Sequence, residues 1–121
     1  MPERELNPSL VRYTQETMPP LIAQQVMDFV RIFWWESHLY ELESHPMGDD
    51  EIAWAMVEGN VLYSHAAVVF ANVVCNGVEY ASGGLSAVMT YTWFRERGFG
   101  RAVVAACNAE IDASEMDFAI L

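Results

Sequence analysis

Three of the chain's six arginines fall within Arg95-Glu96-Arg97-Gly98-Phe99-Gly100-Arg101, in a sequence of 121 residues with no lysine and 17 acidic side chains. Positive charge this scarce and this concentrated, on a glycine-containing segment, points to an anionic ligand. Upstream lies an apolar run from Gly84 to Tyr91, and downstream a helix-like run from Ala102 to Ile111. A strand that turns into a helix start presents N–H groups with no intrahelical partner, and the helix dipole favours negative charge there. Gly98 and Gly100 carry no Cβ, so backbone there can approach a ligand closely and adopt positive φ. A phosphate-bearing ligand is the expectation; an ordinary polar turn with surface arginines is the alternative that spacing alone leaves open. The segment is not a Walker loop, which requires Gly-x4-Gly-Lys-Ser/Thr, nor a dinucleotide fingerprint, which requires Gly-x-Gly-x-x-Gly.

Arg95-x-x-Gly98-x-Gly100 resembles the Arg/Gln-x-x-Gly-x-Gly/Ala signature of the GNAT (Gcn5-related) N-acetyltransferases. The flanks agree with that resemblance: Ala87-Val88-Met89-Thr90 is similar to the end of the family's fourth strand, and Gly100 to Ile111 to its third helix. The resemblance follows most of the chain in order, with the loop and its flanks as the specific part. It implies an α+β fold, a mixed and mostly antiparallel sheet flanked by helices, in a single domain over residues 1–121 whose first nine residues fray. It also implies acetyl-CoA as co-substrate, its pyrophosphate held by Arg95, Gly98, Gly100 and the amides of Arg97, Phe99 and Arg101. Backbone near Val88 and Met89 would then supply donors to the thioester oxygen, with the fourth strand splayed from the fifth to admit the acyl arm. By the same resemblance the region from Trp35 to Asp50 borders the acceptor, which makes Trp35, Asp49 and Asp50 candidate substrate residues.

Acetyl transfer to an amine needs the amine held beside the carbonyl, a base or water chain to take its proton, and N–H donors for the developing oxyanion. A frequent arrangement in the family places a glutamate inside the fourth strand; the matching position here is Ser86, which has no carboxylate. Glu79 belongs near a hairpin, facing solvent. His65, in the third strand, has an ordinary pKa suited to proton transfer and is the candidate catalytic base. A lone histidine beside Ala66, Ala67 and Val68 also reads as a hydrogen-bonded structural residue, the commoner role. Cys107 reads as core, and no nucleophile–base triad is constrained by spacing.

The elements that must position these residues are legible in outline. Leu10 to Thr14 suggests a short first strand. Thr17, Pro19 and Pro20 mark a helix start, because proline is tolerated in a first turn. Ile22, Val26, Phe29 and Phe33, with Leu21, Val30 and Trp34, form an apolar stripe at helical spacing. That helix is expected to run to about Leu42 and to stop before His45-Pro46, since the residue before proline avoids the α region. Trp34 and Trp35 diverge by about 100° on a helix and cannot both face one core. Glu36, His38, Glu41, Glu43, His45, Asp49 and Asp50 lack metal-ligand spacing, so they read as a solvated acidic face or a cation-attracting rim rather than a metal site.

Residues 52–91 read as an antiparallel meander, its second turn marked by Asn76-Gly77 and its first, more weakly, by Gly59-Asn60. Ser82-Gly83-Gly84 predicts a bulge or a close backbone approach. Met116 to Leu121 reads as a fifth strand, where the family pattern would continue through a further helix and strands. A fragment, a dimer partner over the open edge, and a shortened, inactive domain are the three readings of that departure.

The formal net charge of −11 repels nucleic-acid backbones and attracts cations, pointing to a small, cationic amine acceptor rather than nucleic acid. No apolar run reaches the length of a membrane span, the first residues lack a signal core, and two cysteines suit a reducing compartment. The expectation is a cytoplasmic, homodimeric acetyltransferase without a membrane partner. The alternative is a catalytically inactive domain of the same fold, acting as a CoA-binding or homodimeric interaction module.

Overall fold

Apolar residues alternating with period two build one sheet, and two amphipathic helices cover its faces. The computed structural model describes residues 5–33, 46–48 and 50–120. Five strands lie in chain order: β1 (Ser9–Tyr13), β2 (Ile52–Glu58), β3 (Val61–Cys75), β4 (Val78–Thr90) and β5 (Phe118–Ile120). The first four pair antiparallel, whereas β5 runs parallel to β4 and pairs only with Ser82, Gly83 and Gly84. This is the expected α+β architecture, a mixed and mostly antiparallel sheet flanked by helices. Asn76 and Gly77 join β3 to β4 with φ of 52° and 77°, as a type I′ turn requires.

Successive residues of β2 face opposite ways and so define the two cores. Ala53, Ala55 and Val57 lie under α1 (Pro20–Phe33), together with Ile22, Val26 and Phe29 of the apolar stripe. Trp54 and Met56 face α2 (Phe99–Ala113), whose buried residues Val103, Cys107 and Ile111 pack on Ala66 and Val68. Each fully buried aliphatic side chain contributes about 1.5–3 kcal/mol relative to exposure. Gln25 ties α1 to the β2–β3 turn: its Oε1 accepts from the Leu62 N–H at 2.9 Å and its Nε2 donates to Asn60 O at 2.7 Å.

The helix begins at Pro20, with the Ile22 and Ala23 N–H groups donating to Pro19 O. Thr17 does not cap it. Its hydroxyl accepts instead from the Thr14 N–H at 2.8 Å, in the turn that precedes the helix. Residues 34–42 of the longer helix anticipated from sequence lie outside the described residues. So do Trp34, Trp35, Glu36, His38, Glu41, Glu43, His45, Asp49 and Leu121, and the side chain of Phe33. Residues 5–8 precede β1 without regular structure.

Two features seat α2. Arg12 of β1 and Trp54 of β2 are cross-strand partners, and both reach Glu110 on the helix. The Arg12 guanidinium pairs with the Glu110 carboxylate, and the Trp54 indole N–H donates to it at 3.1 Å. The hydrogen bond from Arg12 holds the Glu110 carboxyl below the usual carboxylate range. Further along, a Cβ at Gly83 would lie 3.1 and 3.2 Å from the side-chain carbons of Ile111, so the glycine marks a close approach of sheet and helix. Gly83→Val is therefore expected to lower stability by about 1–3 kcal/mol through overpacking. In an Ile111→Ala background the same change should cost less, a coupling that a denaturation double-mutant cycle measures; strictly additive losses would contradict the contact.

Candidate functional site

The last turn of β4, a 3-10 turn at Thr92–Phe94 and the start of α2 form one continuous structure, held from both sides of the sheet. The Tyr91 N–H donates to Tyr63 O at 3.0 Å, and the Tyr91 hydroxyl donates to the backbone carbonyl of Gln25 in α1 at 2.8 Å. Its ring packs edge-on against Phe29, 5.2 Å between centroids. Tyr63, fully buried, stacks on Phe94 at 3.8 Å and leans on Phe99 at 5.5 Å, while its hydroxyl donates to the Glu58 carboxylate. The aromatic residues on either side of the arginine loop thus grip one ring.

Within that grip the loop turns sharply. Arg95 Nε donates to Thr90 O at 3.0 Å, Glu96 takes φ of 64°, and Gly98 precedes the helix at φ 84°, ψ 4°. Gly98 suits the left-handed position at no steric cost, whereas Glu96 stores strain on the order of 1–3 kcal/mol. No side chain caps α2, and its first turn closes with the Ala102 N–H donating to Gly98 O at 3.0 Å. The amides of Phe99, Gly100 and Arg101 precede that bond and have no acceptor within the helix. At Gly100 a Cβ would come within 3.0 Å of Thr90 Oγ1, so the helix start sits directly on β4.

Arg95, Arg97 and Arg101 are exposed around these amides. Arg12 is committed to Glu110 and Arg31 lies 3.7 Å from Asp28, whereas Arg97 and Arg101 make no ion pair among the described residues. The structure therefore brings together six of the candidate cofactor residues, Arg95, Arg97, Gly98, Phe99, Gly100 and Arg101. Beside them, the parallel pairing of β4 with β5 stops at Gly84. The edge of β4 from Leu85 to Thr90 has no strand partner there among the described residues.

Val88 and Met89 lie on that stretch, next to an irregularity that the sequence did not signal. His65 pairs with Met89 and Ala67 with Ser86, so Ala66 alone opposes both Ala87 and Val88. Ala87 adopts φ of 49°. The extra residue shifts the alternation of β4: Met89 enters the α1-side core, while Val88 is 43% exposed. The bulge foreseen at Ser82-Gly83-Gly84 is thus three residues further on, and Gly83 is instead the close approach described above.

His65, the candidate base, is 1% exposed, and its Nδ1 lies 2.9 Å from the Ala87 carbonyl. Burial pushes its pKa down to about 4, only partly opposed by that hydrogen bond. Among the described residues Nε2 is buried without a partner, as is the Ser64 hydroxyl. A neutral, enclosed imidazole tied to backbone favours the structural role over proton collection from an acceptor in solvent. Asp50 is exposed just before β2, while Trp35 and Asp49 lie outside the described residues. Tyr63, Thr90 and Ala87 were missed from sequence. For Tyr63 and Thr90 the available signal was the density of aromatic residues around the loop; Ala87 carries none.

Solved acetyltransferases share this arrangement of strands and helices. A GCN5-related N-acetyltransferase from Ralstonia eutropha JMP134 is similar over 95% of this chain and 83% of its own, at a TM-score of 0.67 and 15% identity. An aminoglycoside N-acetyltransferase in complex with CoA is similar over 99% of this chain and 79% of its own, at 0.66 and 14%. A transcriptional regulator from Bacillus halodurans C-125 matches 95% and 81% of the two chains, at 0.66 and 12%. No family sequence model matches the chain, and no curated protein sequence does. The likeness is one of fold, shared with solved N-acetyltransferases. Among the described residues no helix is long and apolar enough to cross a membrane.

The buried imidazole makes stability depend on pH. His65 titrates at about 4 when folded against about 6.5 when unfolded, so above pH 6.5 both states are neutral and nothing is gained or lost. As pH falls below 6.5 the unfolded chain binds a proton that the folded chain does not, and stability drops. Between about pH 6.5 and 5 the expected loss is on the order of 2 kcal/mol. Urea midpoints across that window should show it in the native chain, and the His65→Asn variant should lack it.

Proposed function

We propose that this chain binds acetyl-CoA and transfers the acetyl group to a primary amine of a small, cationic acceptor. The observation that carries this reading is the uncapped start of α2, with the amides of Phe99, Gly100 and Arg101 free of intrahelical acceptors and three exposed arginines around them. Amides at a helix N-terminus and nearby guanidinium groups together suit a pyrophosphate, which needs several donors and positive charge at once. Two further facts support it. Proteins of the same fold include acetyltransferases, one of them in complex with CoA. And among the described residues the edge of β4 beside the loop has no strand partner from Leu85 to Thr90.

In this reading the loop anchors the nucleotide end, and the acyl arm runs along the open edge of β4 towards Val88 and Met89. The amine nitrogen attacks the thioester carbonyl, the carbon–sulfur bond breaks, and the sulfur leaves as the thiol with the proton that the amine gives up. Backbone N–H groups of β4 stabilise the oxygen of the tetrahedral intermediate, worth a few kcal/mol in a water-poor site. The acceptor side follows from charge: a net −11 draws cations towards the molecule and raises their local concentration. Cys75 and Cys107 are both free thiols, as a cytoplasmic compartment would keep them.

Isothermal titration of the full chain with acetyl-CoA tests the cofactor half, and a panel of polyamines and aminoglycosides tests the acceptor half. Saturable binding is expected. Arg97→Glu should weaken it roughly tenfold or more, through loss of one charge-assisted contact and gain of a like charge. Unchanged affinity in that variant would remove the loop from the cofactor site. Binding without turnover of any amine would favour the non-catalytic, CoA-binding module instead.

A further inference from the structure

At the β4 bulge, Ala66 of β3 stands opposite Ala87 and Val88, and Ala87 takes a left-handed φ that residues with a Cβ rarely adopt. Such a bend leaves one residue outside the ladder, and its backbone groups need another partner when buried. The imidazole of His65 is that partner, with Nδ1 at 2.9 Å from the Ala87 carbonyl.

We infer that His65 is the positioning residue of the site: by donating from Nδ1 to Ala87 O it holds the β4 bulge and so sets where the Val88 and Met89 amides point. The functional half of this inference rests on the acetyl-transfer reading, while the structural half stands without it. A carbonyl oxygen only accepts, so Nδ1 must carry the hydrogen. In the neutral ring Nε2 is then a bare lone pair, which agrees with its burial without a partner. The opposite tautomer would set a lone pair against the Ala87 carbonyl and bury an unsatisfied N–H at Nε2, and the charged ring would bury one as well. One protonation state fits the cavity.

The bulge also fixes parity. With it, Met89 is 5% exposed within the α1-side core and its cross-strand partner is His65 itself. Without it, a one-residue slip would send Met89 to the other face and re-aim every amide between Ala87 and Thr90, because side chains and pairing alternate with a period of two. His65 therefore acts on the reacting groups through the backbone and does not touch them.

Side-chain 15N NMR of the full chain tests the tautomer directly. Nδ1 should fall in the protonated range and Nε2 in the bare range, both unchanged from pH 8 to about 5. His65→Leu should displace the backbone amide signals of Ala87, Val88 and Met89, and lower kcat roughly tenfold to a hundredfold with KM for acetyl-CoA little altered. His65→Asn, whose side-chain amide can donate near the Nδ1 position, should restore most of both. An Nε2-protonated ring, titration near the ordinary pKa of about 6.5, or unmoved amide signals in the leucine variant would each overturn the inference. A wild-type chain that does not acetylate any amine would overturn the activity instead, and the tautomer and amide signals would still decide the role of His65.

Discussion

The structure depends on a sheet covered on both faces. Once α1 lies on one side and α2 on the other, the covered residues of β3 and β4 have a compulsory direction, and a slip of one position would turn two cores inside out. Against that background the chain breaks alternation twice. Met56 pairs with Ser64 and Val57 with Leu62, which leaves Tyr63 as an extra residue in β3. In β4 the extra residue lies at Ala87 and Val88. The first break turns Tyr63 to the aromatic residues that flank the arginine loop. The second sets the strand edge beside that loop. Both irregularities lie at the same end of the sheet as the start of α2, which is where a two-sided sheet can tolerate a fault and use it.

Charge is distributed with the same economy. Arg12 neutralises Glu110 and in doing so joins β1 to α2, and Arg31 lies beside Asp28 on its own helix. Neither is available to a ligand without loss of its partner. Among the described residues the loop arginines carry no such duty beyond the bond from Arg95 Nε to Thr90 O, which uses one donor of five and shapes the turn. Against a net charge of −11, the loop is where exposed positive charge is concentrated among the described residues.

Much of this was legible in the residues. Asn76-Gly77 specified a turn that only residues tolerant of positive φ can make, and the stripe through Ile22, Val26 and Phe29 specified a helix with one buried face. The loop stood out because glycine and arginine are informative where lysine is absent. The bulge did not stand out, since Ala87 adopts its φ under compulsion from the pairing with β3 and the His65 hydrogen bond, not from its own preference. Of the two readings open at Gly83, a bulge or a close approach, the structure shows the second: its missing side chain makes room for Ile111.

Gly83 and Gly100 have a joint consequence. One lies beneath Ile111 near the end of α2, the other at its start against Thr90, and both contacts are with β4. These two contacts with β4 lie about 16 Å apart, at 1.5 Å of rise for each residue between Gly100 and Ile111, and the stretch between them rests on Ala66, Val68 and Trp54. A rod held at both ends and along its length tilts only if one support changes height. Bulk added beneath the far end would pivot the rod and lift or lower the near end, where the unpartnered amides are, without touching a single residue of the loop. The spacing of helix and sheet at Ile111 is in this sense a setting screw for the helix start, and variation there shifts the arginine loop from a distance.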